Sequence, residues 1–268
     1  MSEGFKHPCF ENIQCGYRFH IPVAPKCDTK CNFCRRAISD KDIRPGVTDK
    51  VISTKEVKDF INEKLELYPE CKVMGIAGPG DPFANADEMF ETFRIIKENY
   101  PDKVCCTCTN GFYVPLYENE LKNSCIDYMT VTVNSIYPET LSKIYDFLIY
   151  NDRKITGLEM GILIQQLQKT ALEIISGCSG ITLKINIVII PGVNDAEVID
   201  IIRETIKYNV HIYNLIPVIP TSGTKFEGVE AWGEKQINEL KDKVRDKFPD
   251  ILLKDKCHRC RADACGVV

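Results

Sequence analysis

The sequence predicts a parallel α/β fold, a six-unit partial (βα)6 barrel with N- and C-terminal extensions. Three observations lead there. Short apolar runs alternate with helical patterns six times, the signature of strands in a parallel sheet with helices packed outside. The runs after the first helix are apolar almost throughout, which suits strands buried on both faces. A full eight-unit barrel takes about 250 residues, whereas here the first 17 of 268 residues and roughly the last 20 lie outside the repeat.

The strands are expected at Arg18–Ala24, Val73–Ala77, Lys103–Cys108, Tyr128–Val133, Thr182–Ile190 and His211–Ile216. Between them lie amphipathic helices. Ser53-Thr-Lys-Glu56 has the form of a capping box, and Val57, Phe60, Ile61 and Leu65 then recur on one face. Val198, Ile201, Ile202 and Ile206 repeat that spacing, as do Ile237, Leu240 and Val244. The chain reads as one domain over 1–268, with a barrel over about 18–250. The N-terminal segment 1–17 and the tail 254–268 are expected to cover the barrel mouth.

Net charge is −4 with a pI near 5.7, so no general attraction to nucleic acid or an anionic membrane is expected. No run of about 18 apolar residues occurs, and the first ten residues lack the apolar centre of a signal peptide. A cytosolic protein is expected. Fourteen cysteines are many for such a chain; in a reducing compartment they point to metal or redox chemistry rather than disulfides.

In parallel α/β folds, chemistry sits where strands end. The notable motifs fall there. Cys27, Cys31 and Cys34 follow the first strand, and Gly78-Pro-Gly80-Asp81-Pro82 the second. Thr109-Asn110-Gly111, Asn134, Pro191–Asp195 and Pro217–Thr221 follow the other four. Three thiolates can hold three irons of a [4Fe–4S] cluster and leave the fourth open. A zinc or disulfide site is the alternative, though no fourth ligand stands close by.

The spacing C-x3-C-x2-C after a first barrel strand resembles the radical S-adenosylmethionine (SAM) enzymes. That resemblance implies a partial TIM-like barrel and a [4Fe–4S] cluster that binds SAM and cleaves it reductively. By the same resemblance Phe33 lies near the adenine. The Gly78–Gly80 turn offers open carbonyls, and Asp81 accepts from the SAM ammonium unless it is a simple turn residue. Asn186, a polar residue in an apolar strand, contacts the ribose unless it is a satisfied buried amide.

A narrower likeness runs along almost the whole chain. "HPCF" (7–10), "HIPVAPKCDTKCNFC" (20–34), "RPGV" (44–47), "GIAGPGDPFAN" (75–85), "CTCTNG" (106–111) and "TVTVNSIYPE" (130–139) come first. "INIVIIPGVND" (185–195), "NLIPVIPTSGTKF" (214–226) and "CHRCRADACG" (257–266) complete the series. Together they resemble the NifB family, maturases of the nitrogenase cofactor, in its short form without an appended carrier-like domain. The resemblance implies two further [4Fe–4S] units, fused with a carbide from SAM and a sulfide into an 8Fe precursor. It also implies a ferredoxin- or flavodoxin-type electron donor, and iron–sulfur donor and carrier proteins as partners. Cys9, Cys257 and Cys260 match one set of cluster ligands, and Cys106 matches another. Half a zinc knuckle with His258 and Cys265 is the alternative for the tail, and a packed core thiol for Cys106.

The chain also departs from the family. Where a further cysteine is expected after the triad, it has Ser39 or Asp40, and the acidic residue of that motif becomes Asp42. In place of a histidine pair before the first strand it has Gln14-Cys15. Cys15, Cys105 and Cys108 are candidates to rebuild the lost site. His20 reads as a strand residue. The rival functions are a radical SAM enzyme acting on a peptide or small molecule, and a non-catalytic metal carrier.

Overall fold

The computed structural model describes residues 7–12 and 17–267. Six strands lie side by side in chain order and all parallel: β1 (Tyr17–His20), β2 (Val73–Ile76), β3 (Val104–Thr109), β4 (Tyr128–Thr132), β5 (Thr182–Ile189) and β6 (Val210–Pro217). All six match the strands expected from the apolar runs. A seventh, β7 (Cys265–Val267), pairs antiparallel with β1. The tail therefore adds a strand to the sheet edge, which its sequence did not announce. The result is the partial barrel.

Helices α1 (Val57–Leu67), α2 (Ala86–Asn99), α3 (Glu118–Lys122), α4 (Pro138–Ile144), α5 (Gly157–Gly177), α6 (Val198–Thr205) and α7 (Glu234–Lys247) connect the strands. The capping box forms: the Ser53 N–H donates to Glu56 Oε2 at 2.8 Å, and a 3-10 turn over Thr54–Glu56 leads into α1. None of the described helices is long and apolar enough to cross a membrane.

Period-two alternation sorts each strand into two faces. Phe19, Met74, Ile76, Cys105, Met129, Val131, Ile185, Tyr213 and Leu215 face the helices in one large core. Their neighbours Arg18, His20, Cys106, Cys108, Thr130, Lys184, Asn186 and Asn214 face the lumen. The helical layer excludes water, while the lumen keeps polar and thiol groups for chemistry.

A second core lies beside the mouth, built on Phe112, Leu141, Ile144, Tyr145, Leu148 and Met160. It supports a feature absent from the sequence reading. Tyr145–Tyr150 and Arg153–Ile155 form a hairpin, and Thr29–Cys31 joins it antiparallel. The signal was present. Asn151 and Asp152 take φ of 49° and 59° between two strand-like runs, as a two-residue hairpin turn demands. The hairpin anchors the middle of the cysteine loop.

The shape of the mouth rests on buried amides. Asn194 is fully buried. Its Nδ2 donates to the Asn134 carbonyl at 2.7 Å and the Val188 carbonyl at 2.8 Å, while Oδ1 accepts from the Ile190 N–H at 2.8 Å. Asn134 Oδ1 in turn accepts from the Val188 N–H at 3.0 Å. These two strand-end residues hold backbone, so their place in the motifs is structural.

Two changes test this framework. A Cβ on Gly161 of α5 would stand 2.1 Å from the Pro138 carbonyl oxygen at the start of α4. Gly161→Ala gains about 1 kcal/mol of helix propensity but overpacks the crossing by about 1–3 kcal/mol. A lower urea midpoint is expected; an unchanged or higher one would mean that the two helices slide apart freely. Asn194→Ala leaves three buried backbone groups unpaired and is expected to cost on the order of 3 kcal/mol, read from the same denaturation curve. A loss below about 1 kcal/mol would reject the bracing role.

Candidate functional site

The mouth gathers three loops, and Asp81 ties them together. Gly80 and Asp81 donate backbone N–H groups to the carbonyls of Ala24 (2.7 Å) and Lys26 (2.8 Å). A Cβ on Gly80 would fall 1.9 Å from the Lys26 oxygen, so only glycine allows this close approach. Asp81 Oδ1 accepts from the Phe83 N–H (3.0 Å) and Thr109 Oγ1 (2.8 Å). Its Oδ2 accepts from Thr109 Oγ1 (3.0 Å) and the Asn110 N–H (2.7 Å). Asp81 is thus buried and already engaged by the chain. Its task is to lock the glycine turn to the Thr109–Gly111 turn, which differs from the expected role of receiving the SAM ammonium.

The three cysteines share one loop. Cys27 precedes the short strand Thr29–Cys31, and the Cys34 N–H donates to the Cys31 carbonyl at 3.1 Å. Burial pushes all three thiols upward. At Cys31 the charges of Cys34 and Cys27 add to that effect. Arg36, Arg44 and Lys30 oppose it at Cys34. Without a cationic partner such thiols stay protonated; a metal that takes thiolates supplies that partner. Phe33, beside Cys34, packs half-buried against the second core. Gly78 follows β2, and its Cα faces Ala262 of the tail.

Asp28 completes the mouth. Its Oδ1 accepts from Asn110 Nδ2 at 2.7 Å. Its Oδ2 is buried with no hydrogen-bond partner among the described residues. Burial and then the nearby Asp81 push this carboxyl up to about 7.

Below the mouth lies a second set of thiols. Cys106 and Cys108 point inward from β3. Cys9 comes from the N-terminal segment, where its N–H donates to His7 Nδ1 (3.0 Å) and its carbonyl accepts from Lys184 Nζ (3.2 Å). Cys260 of the tail accepts from the Arg18 guanidinium, and Cys257, three residues before it, is half-buried. Arg18 loses water through burial, but the charges of Cys9, Cys260 and Cys106 hold its pKa up. Arg18 thus links the first strand to the tail through Cys260, and Lys184 links the fifth strand to the N-terminal segment through Cys9.

The terminal segments meet each other here rather than over the mouth. Lys254 Nζ donates to the Pro8 carbonyl at 2.9 Å and to that of Glu11. His7 stacks on Tyr128 at 4.6 Å between ring centroids. Tyr128, Lys184 and Arg18 all lie in the first halves of their strands. Arg261 and Ala262 reach the mouth, where the Ala262 N–H donates to the Val47 carbonyl at 2.8 Å.

The remaining expectations sort by burial. Asn186 Oδ1 accepts from Asn214 Nδ2 at 3.0 Å on the lumen face. His20 is the last residue of β1, on its lumen face, and its Nε2 accepts from the Arg18 guanidinium at 2.6 Å. Burial and then Arg18 push it down to about 3, so it is neutral. Cys105 is fully buried toward the helices. Its N–H donates to Asp127 Oδ2 at 2.8 Å, so it is outside the lumen. Ser39 Oγ accepts from the N–H groups of Lys41 and Asp42, and Asp40 is exposed. Gln14 and Cys15 lie outside the described residues. His258 and Cys265 are exposed.

Arg18, Lys184 and Lys254 were missed by the sequence reading. A cation inside an otherwise apolar strand was the available signal, since such residues are almost never buried unpaired. Among the described residues, no three His, Cys, Asp and Glu side chains converge on a single ion position. One tetrahedral ion draws its thiolates to within about 4 Å of each other; cluster ligands sit on separate irons and need not converge.

Comparison with known proteins agrees with this layout. Residues 21–205 match the Radical SAM superfamily. Over 265 residues, 98% of this chain, it is 36% identical to FeMo cofactor biosynthesis protein NifB of Chlorobaculum tepidum, and it spans 62% of that protein. Against the protein of the same name from Methanocaldococcus infernus it is 36% identical over 266 residues, 98% of this chain and 85% of the relative. It spans about half, 53%, of the one from Azotobacter vinelandii. The fold also matches the Streptococcus suis protein SuiB bound to S-adenosylmethionine. The TM-score is 0.59 at 15% identity, over 92% of this chain and 52% of that one. Triad, glycine turn, barrel and a whole-chain likeness coincide, and the chain belongs to the Radical SAM superfamily and, within it, to the NifB family of radical SAM enzymes.

Proposed function

We propose that this chain assembles an iron–sulfur cofactor. It takes [4Fe–4S] units into its lumen as substrate and, using SAM, joins them into the 8Fe, carbide-containing precursor of the nitrogenase cofactor. The observation that carries the reading is the pairing of two thiol groups in one barrel. Three thiols sit at the mouth and a separate group lies beneath them. A radical SAM enzyme needs only the first.

The chain's residues fit the SAM-binding cluster that the superfamily implies. Cys27, Cys31 and Cys34 lie half-buried within eight residues of one loop, and the buried Asp28 Oδ2 beside them lacks a donor among the described residues. Cys27, Cys31 and Cys34 would hold that cluster, which, when bound and reduced, supplies the electron for cleaving SAM. Carbonyls of the Gly78–Gly80 turn would take the SAM ammonium, with Asp81 fixing the turn. Phe33 would flank the adenine, and Asn186 the ribose. Cys9, Cys257 and Cys260 would receive one substrate unit and Cys106 would contribute to a second. Arg18 and Lys184 beside them would balance the anionic charge of thiolate-bound units. A ferredoxin or flavodoxin would deliver the electron, and iron–sulfur donor and carrier proteins would bring units and remove product.

Two measurements check this reading. Replacing Cys27, Cys31 or Cys34 with Ala is expected to reduce formation of 5′-deoxyadenosine from SAM to background under strong reductant; cleavage at the wild-type rate would refute the triad assignment. The full chain, reconstituted anaerobically, is expected to hold about twelve irons, as three [4Fe–4S] units require. About four would leave only the triad loaded and sink the assembly role.

A further inference from the structure

The departure at Ser39 and Asp40 leaves the second substrate unit short of a ligand, and the fold offers a replacement elsewhere. The segment that carries the expected position runs over the surface. Ser39 is tied to its own turn, Asp40 is exposed, and Ile43 is 85% exposed. Nothing there reaches the lumen. Of the spare cysteines, Cys105 faces the helices within the large core. Cys108 belongs to the opposite face of the same strand, the face of Cys106.

We infer that Cys108 joins Cys106 as a pair of thiolate ligands for the second iron–sulfur unit in the lumen, taking the part of the family cysteine absent at Ser39 and Asp40. This rests on the reading that the lumen receives such units. The geometry supports it in three ways. Residues two apart on a strand project to one side with Cα atoms about 6.6 Å apart. That spacing suits thiolates on two irons of one unit, and it is wide for two thiolates on one ion. Gly75 on β2 makes room for the Cys106 thiol and the His20 ring on the lumen face. A Cβ there would lie 2.8 Å from Cys106 Sγ and 2.9 Å from His20 Cδ2, so a larger residue would push both side chains out of place. Finally, Lys184 stands level with Cys108 across β4, both in register with Thr130, and its Nζ is held by the Cys9 carbonyl, which fixes a cation on the same face as the pair.

The test uses the full chain reconstituted anaerobically, with iron and sulfide counted per chain and EPR recorded with and without SAM. Cys108→Ala is expected to lose about four irons relative to wild type, one [4Fe–4S] unit, while the SAM-responsive signal of the triad persists. Cys106→Ala is expected to lose the same amount, and Cys105→Ala none. Cys108→Ser, which keeps the side chain's size, is measured alongside, and it is expected to show the same loss or an altered EPR signal from the second unit. Wild-type iron and spectra in both Cys108 variants would overturn the assignment while leaving the assembly reading standing, provided wild type holds about eight irons or more. An equal loss in Cys105→Ala would make the effect one of folding and also overturn it. A wild type with only about four irons would sink the assembly reading itself, and this inference with it.

Discussion

The mouth of this barrel depends on one buried carboxylate. Asp81 is 6% exposed and receives donors from its own turn and from the turn after β3. The same stretch hangs by backbone hydrogen bonds from the cysteine loop. Three segments far apart in sequence therefore take their relative positions from one residue. Burial pushes its carboxyl up, and the donors aimed at it oppose that by favouring the charged form. Asp28, with fewer donors and an open oxygen, is the partner on which the proton resides more readily.

The lumen solves a different problem. Inward positions on a barrel are normally filled by apolar side chains. Here Arg18, His20, Lys184 and several thiols occupy them, and each cation has a defined partner. Arg18 meets His20 and Cys260, Lys184 meets the Cys9 carbonyl, and Lys254 meets the N-terminal segment. Buried cations without partners would be costly. Their fixed placement gives the lumen a positive lining suited to anionic, thiolate-bound iron. The terminal segments make that lining possible, because they bring Cys9, Cys257 and Cys260 to strands that could not supply them.

The family departures also make physical sense on this scaffold. Removing a ligand from a surface-running segment costs the fold nothing, since Ser39 simply caps its own turn. Adding a thiol at Cys108 requires no change in backbone, since the position already faces the lumen. A ligand can therefore migrate between elements while the sheet stays the same.

Much of this was legible in the sequence alone. The six strands, the capping box before α1 and the mouth motifs follow from local rules: apolar period, cap residues and turn residues. The triad was legible because its three cysteines lie within eight residues of one loop. Other features were set only by the tertiary structure. That Cys105 turns outward and Cys108 inward is a matter of strand register, and register shifted by one residue would exchange them. That Asn134 and Asn194 brace backbone, and that Asp81 is filled by Thr109 and Asn110, depends on which strand ends become neighbours. The pairing of β7 with β1, and the meeting of residues 7–12 with the tail, join points more than 240 positions apart. No local pattern encodes such contacts; the closing of the sheet decides them, by bringing its two edges and both ends of the chain to one opening.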